Sequence, residues 1–308
     1  MGTAYTVKLA RRPESAELSG LQQEVAAELE RIEQIFSLFR HHSELRRLNA
    51  APAGEWVEVS NDLQAVTQRA LALAECTGGA FDPTVGPLVR LWRIHDLSSA
   101  WSPPAASEIA RVKQQIGHHL VAIRADPPAI RKLSAGVELD LNALVEGWAL
   151  DQLAAILRSR GCHDVLIELG GEFRGLGRRG DGEPWLVGIE DPGRLPACYA
   201  TVALENGALA TSGSYRHARM HRGIAYAHIL DTRTGAPVHH ELAAVSVLAG
   251  EGVTADGWAT ALMVLGPIAG RDLAEREGLA ASFVPRTQSA GGPQFTTNAE
   301  KHFRKDRP

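Results

Sequence analysis

The sequence of 308 residues predicts a mixed α/β fold of the α+β kind, in which sheets are flanked by helices and two lobes share one core. Two observations predict it. Hydrophobic residues with helical spacing dominate residues 1–160, and short β-branched segments bounded by Gly, Pro or Asn-Gly dominate 161–290. Composition does not shift sharply between these halves, so we expect a single domain over 1–308, with a C-terminal tail at about 289–308.

Helices are predicted at five places along the chain. Apolar residues three and four positions apart indicate an amphipathic helix from about Glu14 to Phe39. Ser60 can cap a second helix, and Gly78 can end it. The remaining helices are expected over about 106–116, 142–160 and 254–277, the last as a pair joined at Gly266-Pro267.

Strands are predicted mainly in the second half, where short segments are rich in β-branched and aromatic residues. These segments cover about 164–171, 183–192, 199–206, 225–231 and 243–250. The stretch 175–180 also fits a GxGxxG pattern, which in a dinucleotide-binding fold follows a strand and opens a helix. A strand-like segment follows it here, so a Gly-rich hairpin is the better interpretation.

Composition excludes several classes of protein. With 32 Lys and Arg against 36 Asp and Glu, the net charge of −4 argues against a nucleic-acid binder or a polybasic membrane binder. The 3 cysteines have no CxxC spacing and are too few for a disulfide scaffold. No apolar stretch reaches the roughly 18 residues of a membrane span, so no transmembrane segment is expected.

Acidic residues at the ends of predicted elements are the first candidates for a site. Asp256 and Thr260 are four residues apart at the start of a predicted helix, so their oxygens can face one point. A carboxylate and a hydroxyl suit Mg²⁺, although an Asp in a first helical turn can equally serve the helix dipole. Asp82, Asp140 and Asp231 stand at turn entrances, where they are either Asx turns or parts of a site.

Short blocks in a fixed order run along nearly the whole chain. They are Met1–Thr3, Ser43–Leu45 with Leu48-Asn49, Gly79–Thr84, Leu139–Leu141 with Glu146–Ala149 and Asp151, Glu168–Gly171, Thr211–Tyr215, His228–Asp231 with Arg233–Gly235, and Ala255-Asp256 with Ala259–Leu262. Each block is modest by itself. In this order they resemble the ApbE family, the FAD:protein FMN transferases.

The resemblance implies an FAD site between the two lobes. It implies contacts with the flavin nucleotide at Met1, Phe39, Ala80, Phe81, Asp82, Asp140, Glu146 and Ile229. It also implies Mg²⁺ ligands at Asp256, Thr260 and the backbone carbonyl of Ala143. Beside these, Thr211, Ser212 and Gly213 can offer hydroxyl and N–H groups to phosphate oxygens.

Three positions depart from the family pattern. Glu146 stands where many members have Lys, so a cation that could touch the nucleotide is replaced by an anion. Asn142 and Ala143 replace a Gly-Gly pair, and Thr232 stands where Pro is common. Some relatives also carry Glu at the first position, so this change concerns the details of the contact more than activity.

The activity that the resemblance implies is an enzymatic transfer of FMN from FAD to a threonine hydroxyl of an acceptor flavoprotein, with release of AMP. His228 is the candidate base for the threonine, because an imidazole can take a proton near neutral pH. The alternative is that His228 only positions a loop or a phosphate. Two other functions stay open, a Mg²⁺-dependent FAD pyrophosphatase and a non-catalytic FAD-binding protein.

Neither the acceptor nor the cellular location follows from the residues. Family acceptors are usually respiratory or electron-transfer membrane proteins, but no segment of this chain identifies one. Most family members are exported and lipid-anchored, whereas the first residues here show no apolar signal segment or anchor cysteine. Envelope and cytoplasmic locations are therefore both compatible with the sequence.

Overall fold

The computed structural model describes residues 2–11, 14–94, 101–194, 196–214, 218–287 and 291–305. Met1, for which the resemblance implies a nucleotide contact, lies outside these ranges. The α-helices within them are α1 Ser15–Phe36, α2 Glu44–Ala50, α3 Asn61–Cys76, α4 Gly86–Trp92, α5 Ala106–Lys113, α6 Asn142–Ser159, α7 Gly252–Leu265 and α8 Ala269–Arg276. None of these helices combines the length and apolar character needed to cross a membrane.

The strands of the described ranges form one large sheet and several small ones. They are β1 Tyr5–Leu9, β2 Val57–Glu58, β3 Val121–Arg124, β4 Ala129–Lys132, β5 Val165–Leu169, β6 Glu172–Leu176, β7 Trp185–Glu190, β8 Cys198–Leu204, β9 Ala208–Gly213, β10 Ala218–His221, β11 Ile224–Ala227, β12 Leu230–Asp231, β13 Ala236–Pro237, β14 Leu242–Ala249, β15 Ala280–Pro285, β16 Gln294–Phe295 and β17 Phe303–Lys305. The predicted mixed α/β class is confirmed.

The large sheet has seven antiparallel strands in the order β1-β5-β6-β9-β14-β15-β16. Alternate residues of each strand face opposite sides. Val165 and Ile167 of β5 therefore join the apolar core formed with α1, α3 and α6. Leu166, between them, packs instead against the sheet β17-β8-β7, so helices cover one face and a second sheet the other.

The helix boundaries follow from local chemistry. Ser60 caps α3, because its hydroxyl accepts the Leu63 N–H at 3.2 Å, as predicted. Helix α1 ends at Phe36, three residues before the predicted end at Phe39. The hydroxyl of Ser37 accepts the N–H groups of Phe39 and Arg40, which turns the chain out of the helix.

Several strands were not predicted, and one prediction was wrong in part. The segment 225–231 was expected to be one strand, but β11 pairs with β10 while β12 pairs with β13. His228 and Ile229 therefore lie between two short strands. The expected Gly-rich hairpin is present, since the Arg179 N–H donates to the Glu183 carbonyl at 2.8 Å and closes the turn.

Helices α6 and α7 cross with their backbones in direct contact. A Cβ on Gly147 would lie 2.7 Å from the Val253 nitrogen and closer still to the Gly252 carbonyl, so only glycine fits there. The carboxylate of Asp151 accepts the N–H groups of Gly252 and Val253 at 2.8 and 3.0 Å and caps α7. These contacts fix α7, which carries Asp256, against α6.

Candidate functional site

A cavity of about 1150 Å³ lies between the helix-rich part of the chain and the large sheet. The loop before α4 and the start of α6 form one wall, and β9, α7 and the segment 228–232 form the other. Every predicted site residue within the described ranges lines it. These residues are Phe39, Ala80, Phe81, Asp82, Asp140, Ala143, Glu146, Thr211, Ser212, Gly213, His228, Ile229, Asp256 and Thr260.

Phe39 presents an aromatic ring at this cavity. Its side chain is 89% exposed, although it belongs to a loop whose shape is fixed by hydrogen bonds. The Phe39 N–H donates to the Ser37 hydroxyl at 3.2 Å, and the Ser43 hydroxyl donates to the Ser37 carbonyl at 2.6 Å. A large apolar ring held in water by an ordered loop is suited to stacking on a planar ligand.

Asp82 is buried, and its carboxylate is already occupied inside the protein. One oxygen accepts the N–H and hydroxyl of Thr84 at 2.9 and 2.6 Å. The other accepts the His118 N–H at 2.7 Å and lies 3.3 Å from the His118 ring nitrogen Nδ1. This carboxylate therefore holds the loop in shape, and the nucleotide contact of Asp82 stays a prediction.

Asp82→Asn is expected to lower the free energy of unfolding by about 2 kcal/mol, because an amide NH₂ would replace an oxygen that accepts internal N–H or O–H groups. Urea unfolding followed by circular dichroism measures this change. Asp181→Asn is the matched control, since the Asp181 carboxylate is exposed and accepts the Glu183 N–H at 3.1 Å. Equal stability losses in the two variants would contradict the structural role of Asp82.

Carboxyl groups of α6, α7 and the neighbouring strand β6 lie close together where the two walls meet. Burial raises the pKa of Asp256 to about 7, while the Gly147 N–H, 3.0 Å from its Oδ2, acts in the opposite direction. Burial, followed by the charges of Asp256 and Glu146, raises the pKa of Glu172 well above its usual value. Burial also raises the pKa of Glu146, and the Glu168 carboxylate adds to this rise. The site therefore gathers carboxyl groups away from water, where burial favours their protonated forms.

Glycine makes room for one of these carboxylates. A Cβ on Gly170 would lie 2.7 Å from Glu146 Oε2, and the Gly170 backbone has a φ of +65° that favours glycine. On the same wall Asp140 accepts the Asn142 N–H at 3.0 Å, and burial raises the pKa of its carboxyl group. The Glu168–Gly171 block thus contributes to the site by its backbone shape.

Two hydroxyl pairs line up where β9 meets α7 and β14. The Ser212 and Thr260 hydroxyl oxygens are 2.8 Å apart, and those of Thr211 and Ser246 are also 2.8 Å apart. Ser212 and Thr260 face the cavity, whereas Ser246 is fully buried in the sheet. The cavity wall therefore offers neutral oxygens beside the Asp256 carboxylate.

The residues expected to hold a cation have suitable donor atoms. Helical geometry directs the Gly147 N–H toward the carbonyl of Ala143, four residues earlier, and the same N–H reaches Asp256 Oδ2. The Ala143 carbonyl and the Asp256 carboxylate therefore converge. One oxygen of buried Glu172 has no hydrogen-bond partner among the residues that the structure describes. Oxygen donors with excess negative charge fit a hard divalent cation.

Many metal sites consist of three or more His, Cys, Asp or Glu side chains. The described ranges contain no group of three or more His, Cys, Asp and Glu side chains that could hold a metal ion. The expected set has one carboxylate, one hydroxyl and one backbone carbonyl, so it is a different kind of site. Its occupation by Mg²⁺ stays a prediction.

His228 lines the cavity at the break between β11 and β12. The turn that follows is well ordered, because Asp231 accepts the Arg233 N–H at 2.9 Å and pairs with its guanidinium at 2.8 Å. Thr232, where Pro is common in the family pattern, donates its hydroxyl to the Gly79 carbonyl. This bond joins the two walls of the cavity beside Ala80.

Comparison with known proteins agrees with the arrangement of the site. The model of the ApbE family matches residues 1–283. The chain belongs to the ApbE family. The FAD:protein FMN transferase of Vibrio cholerae is 33% identical over 98% of this chain and 90% of its own length. The sequence blocks implied an FAD:protein FMN transferase, and this relative has that name.

Solved structures of ApbE family members share the fold. The flavin transferase ApbE from Vibrio cholerae superposes with a TM-score of 0.89 at 32% identity, covering 98% of this chain and 96% of its own. The apo form of the flavinyl transferase ApbE from Pseudomonas stutzeri gives a TM-score of 0.88 at 35% identity, covering 98% and 94%. The ApbE-type architecture is therefore confirmed over nearly the whole chain.

The sequence did not single out every residue of this ApbE site. Glu172 was missed, although it directly follows the Glu168–Gly171 block of the family resemblance. Thr232 was noted only as a departure from the family pattern, and its bond to Gly79 was not foreseen. Ser246 is not in the cavity lining and only supports Thr211 from behind, through a bond that sheet pairing brings about and that the apolar strand sequence does not indicate.

Proposed function

We propose that this chain transfers FMN from FAD to a threonine hydroxyl of an acceptor flavoprotein and releases AMP, with Mg²⁺ bound. The observation that carries the proposal is the single cavity that gathers the expected nucleotide contacts, His228 and the Asp256–Thr260 oxygen pair. Its volume of about 1150 Å³ can hold a dinucleotide. Membership of the ApbE family supports flavin transfer as the general activity.

Asp256, Thr260 and the Ala143 carbonyl would hold Mg²⁺ in this proposal. A bound Mg²⁺ supplies positive charge that stabilises the negative charge developing on the pyrophosphate. The buried carboxyl groups of Asp256 and Glu172 support this assignment, because a bound cation would offset the cost of ionising them away from water. With a net charge of −4, the chain would need no cluster of Lys and Arg to bind the pyrophosphate if Mg²⁺ supplies the positive charge.

The other residues would bind and orient FAD. Phe39 offers a ring for the flavin, and the Thr211–Gly213 segment ends β9 with hydroxyl and N–H donors suited to phosphate oxygens. The hydrogen bond from the Thr232 hydroxyl to the Gly79 carbonyl ties the loop that carries Ala80 to the segment that carries His228. The two cavity walls are thereby oriented toward one another.

In the transfer step, the threonine oxygen of the acceptor forms a bond to the phosphorus of the FMN moiety. The bond between that phosphorus and the bridging oxygen breaks, and AMP leaves with the bridging oxygen. His228 takes the proton of the threonine hydroxyl at a ring nitrogen. In FAD hydrolysis, water would replace the threonine and the other bonds would change in the same way.

The direct test is incubation with FAD, Mg²⁺ and a flavoprotein acceptor domain, followed by mass spectrometry of the acceptor. The expected result is a mass gain equal to FMN minus water on a threonine peptide, with one AMP released per transfer. Free FMN and AMP without modified acceptor would instead indicate a pyrophosphatase. FAD recovered intact would indicate a binding protein and would contradict any catalytic function.

His228→Asn is expected to lower the rate of FMN transfer about 100-fold, because general-base catalysis typically contributes 10²–10⁴. FAD affinity, measured by flavin fluorescence, should change less than threefold. His163→Asn is the matched control, since His163 lies outside the cavity lining. Equal rates for His228→Asn and the unmodified protein would show that His228 only positions its surroundings.

A further inference from the structure

The hydroxyl of Thr260 has a different kind of partner from the hydroxyls of Thr67 and Thr77. Thr67 and Thr77, in and at the end of α3, donate to the carbonyls four residues earlier at 2.7 and 2.8 Å. This is the usual local bond of a threonine in a helix. Thr260 on α7 has instead the Ser212 hydroxyl as its hydrogen-bond partner in the described part of the chain, at 2.8 Å.

We infer that Ser212 is a positioning residue for the cation site, where it accepts the hydroxyl proton of Thr260 and so directs the Thr260 lone pair toward the cation. The inference rests on the proposed function, because it assigns a role in the same Mg²⁺ site. A hydroxyl that binds a cation uses an oxygen lone pair, so its proton must point away from the ion. Ser212 is the neighbour that can receive it.

The geometry gives each expected side-chain ligand on α7 one fixed partner. The Gly147 N–H donates to Asp256 Oδ2 at 3.0 Å, and Ser212 meets Thr260 from β9. Such partners orient the atoms that bind a metal, and removing one typically costs 10–100-fold in affinity. Ser212 therefore acts on the cation through Thr260 and needs no contact with it.

The direction of this hydrogen bond also determines what Ser212 offers to the cavity. Once Ser212 accepts from Thr260, its own proton is available to an acceptor on the cavity side. A phosphate oxygen is an acceptor of the required kind. The Ser212 hydroxyl would then bond to the cation ligand Thr260 and to a phosphate of the nucleotide at the same time. A residue that only binds phosphate would not need the bond to Thr260.

The test measures binding of Mn²⁺ alone to the FAD-free protein by electron paramagnetic resonance, with Mn²⁺ as a probe for Mg²⁺. Ser212→Ala is expected to raise the Kd for Mn²⁺ about tenfold. Ser212→Thr, which keeps a hydroxyl, should stay within about threefold of the unmodified protein. If Ser212→Ala does not fold, Ser212→Cys makes the same comparison, because a thiol is a weak acceptor.

Ser246→Ala is the matched control. It also removes a hydroxyl that lies 2.8 Å from another hydroxyl, but the partner is Thr211 rather than Thr260. Its Kd for Mn²⁺ should equal that of the unmodified protein. Unchanged Mn²⁺ binding in Ser212→Ala, with weaker FAD binding, would overturn the inference and leave Ser212 as a phosphate contact only.

The inference and the proposed cation site fail in different ways. If the unmodified protein and Thr260→Ala both bind no Mn²⁺, the cation site itself is wrong and the role of Ser212 falls with it. If Thr260→Ala loses Mn²⁺ binding but Ser212→Ala keeps it, the cation site stands and only the positioning role is overturned. Loss in both variants, with the control unchanged, supports the inference.

Discussion

Gly147→Ala is expected to lower the free energy of unfolding by about 3 kcal/mol, the largest stability effect that we predict for a single methyl group. The added Cβ would lie 2.7 Å from the Val253 nitrogen, inside van der Waals contact with the backbone of α7. The opposite position is also tight, since a Cβ on Gly252 would lie 3.1 Å from the Gly147 carbonyl carbon and closer still to the carbonyl oxygen. The backbones of α6 and α7 cannot move apart without disturbing the apolar side chains that pack around each helix.

The same substitution should also damage the proposed cation site. Separating α6 from α7 would stretch the bond from the Gly147 N–H to Asp256 Oδ2, now 3.0 Å long. It would also strain the Asp151 cap on Gly252 and Val253. We therefore expect Gly147→Ala to weaken Mn²⁺ binding as well as lower the urea midpoint.

Gly20→Ala is the matched control for this prediction. Gly20 is also a helical glycine, on α1, but a Cβ there would meet no other element of the described ranges within 4 Å. Alanine has the higher helix propensity, so this variant should be more stable than the unmodified protein by about 0.5–1 kcal/mol. A stability of Gly147→Ala within 1 kcal/mol of the unmodified protein would contradict the tight crossing.

Asp256→Asn is expected to reduce FMN transfer about 1000-fold, because a cation supplies several kcal/mol of charge stabilisation to such a reaction. The substitution removes one negative charge from the buried carboxyl groups and changes the side-chain volume very little. We therefore expect activity to fall while stability rises. The melting temperature of the cation-free protein at pH 8 should increase by about 3 °C.

The sign of this stability change follows from the pKa of Asp256. Burial raises the pKa from 3.8 to about 7, so the folded protein holds this proton more tightly than the unfolded chain. Stability from this group is therefore greatest when it is protonated and decreases as pH rises from about 4 through 7. Above pH 7 the folded protein carries a buried charge that a bound cation can compensate.

Thermal unfolding with and without Mg²⁺ at pH 5.5 and pH 8 tests both parts of this prediction. For the unmodified protein, Mg²⁺ should raise the melting temperature more at pH 8, where Asp256 is ionised. For Asp256→Asn the increase should vanish at both values. Asp272→Asn, in an exposed position on α8, is the matched control and should respond to Mg²⁺ as the unmodified protein does. An equal Mg²⁺ effect in Asp256→Asn would exclude Asp256 as a ligand.

The sequence predicted best the features that depend on neighbouring residues. Helix α1 shows its buried stripe in the spacing of Leu21, Val25 and Ile32, and the cap of α3 is visible in Ser60. Both signals are local, because hydrophobic periodicity and capping involve residues three or four positions apart. Strand β9 was missed because its residues 208–213, ALATSG, have only one β-branched member and end in Ser-Gly, and sheet pairing rather than propensity makes it a strand.

The order of the short blocks along the chain was sufficient by itself to identify the ApbE family and its mixed α/β fold. Only the tertiary structure decided which polar atoms of the site form hydrogen bonds within the protein. It commits the Asp82 carboxylate to Thr84 and His118, and it joins Ser212 to Thr260 across 48 positions of sequence. Such contacts depend on how helices and strands pack, and packing distances leave no periodic trace in the chain.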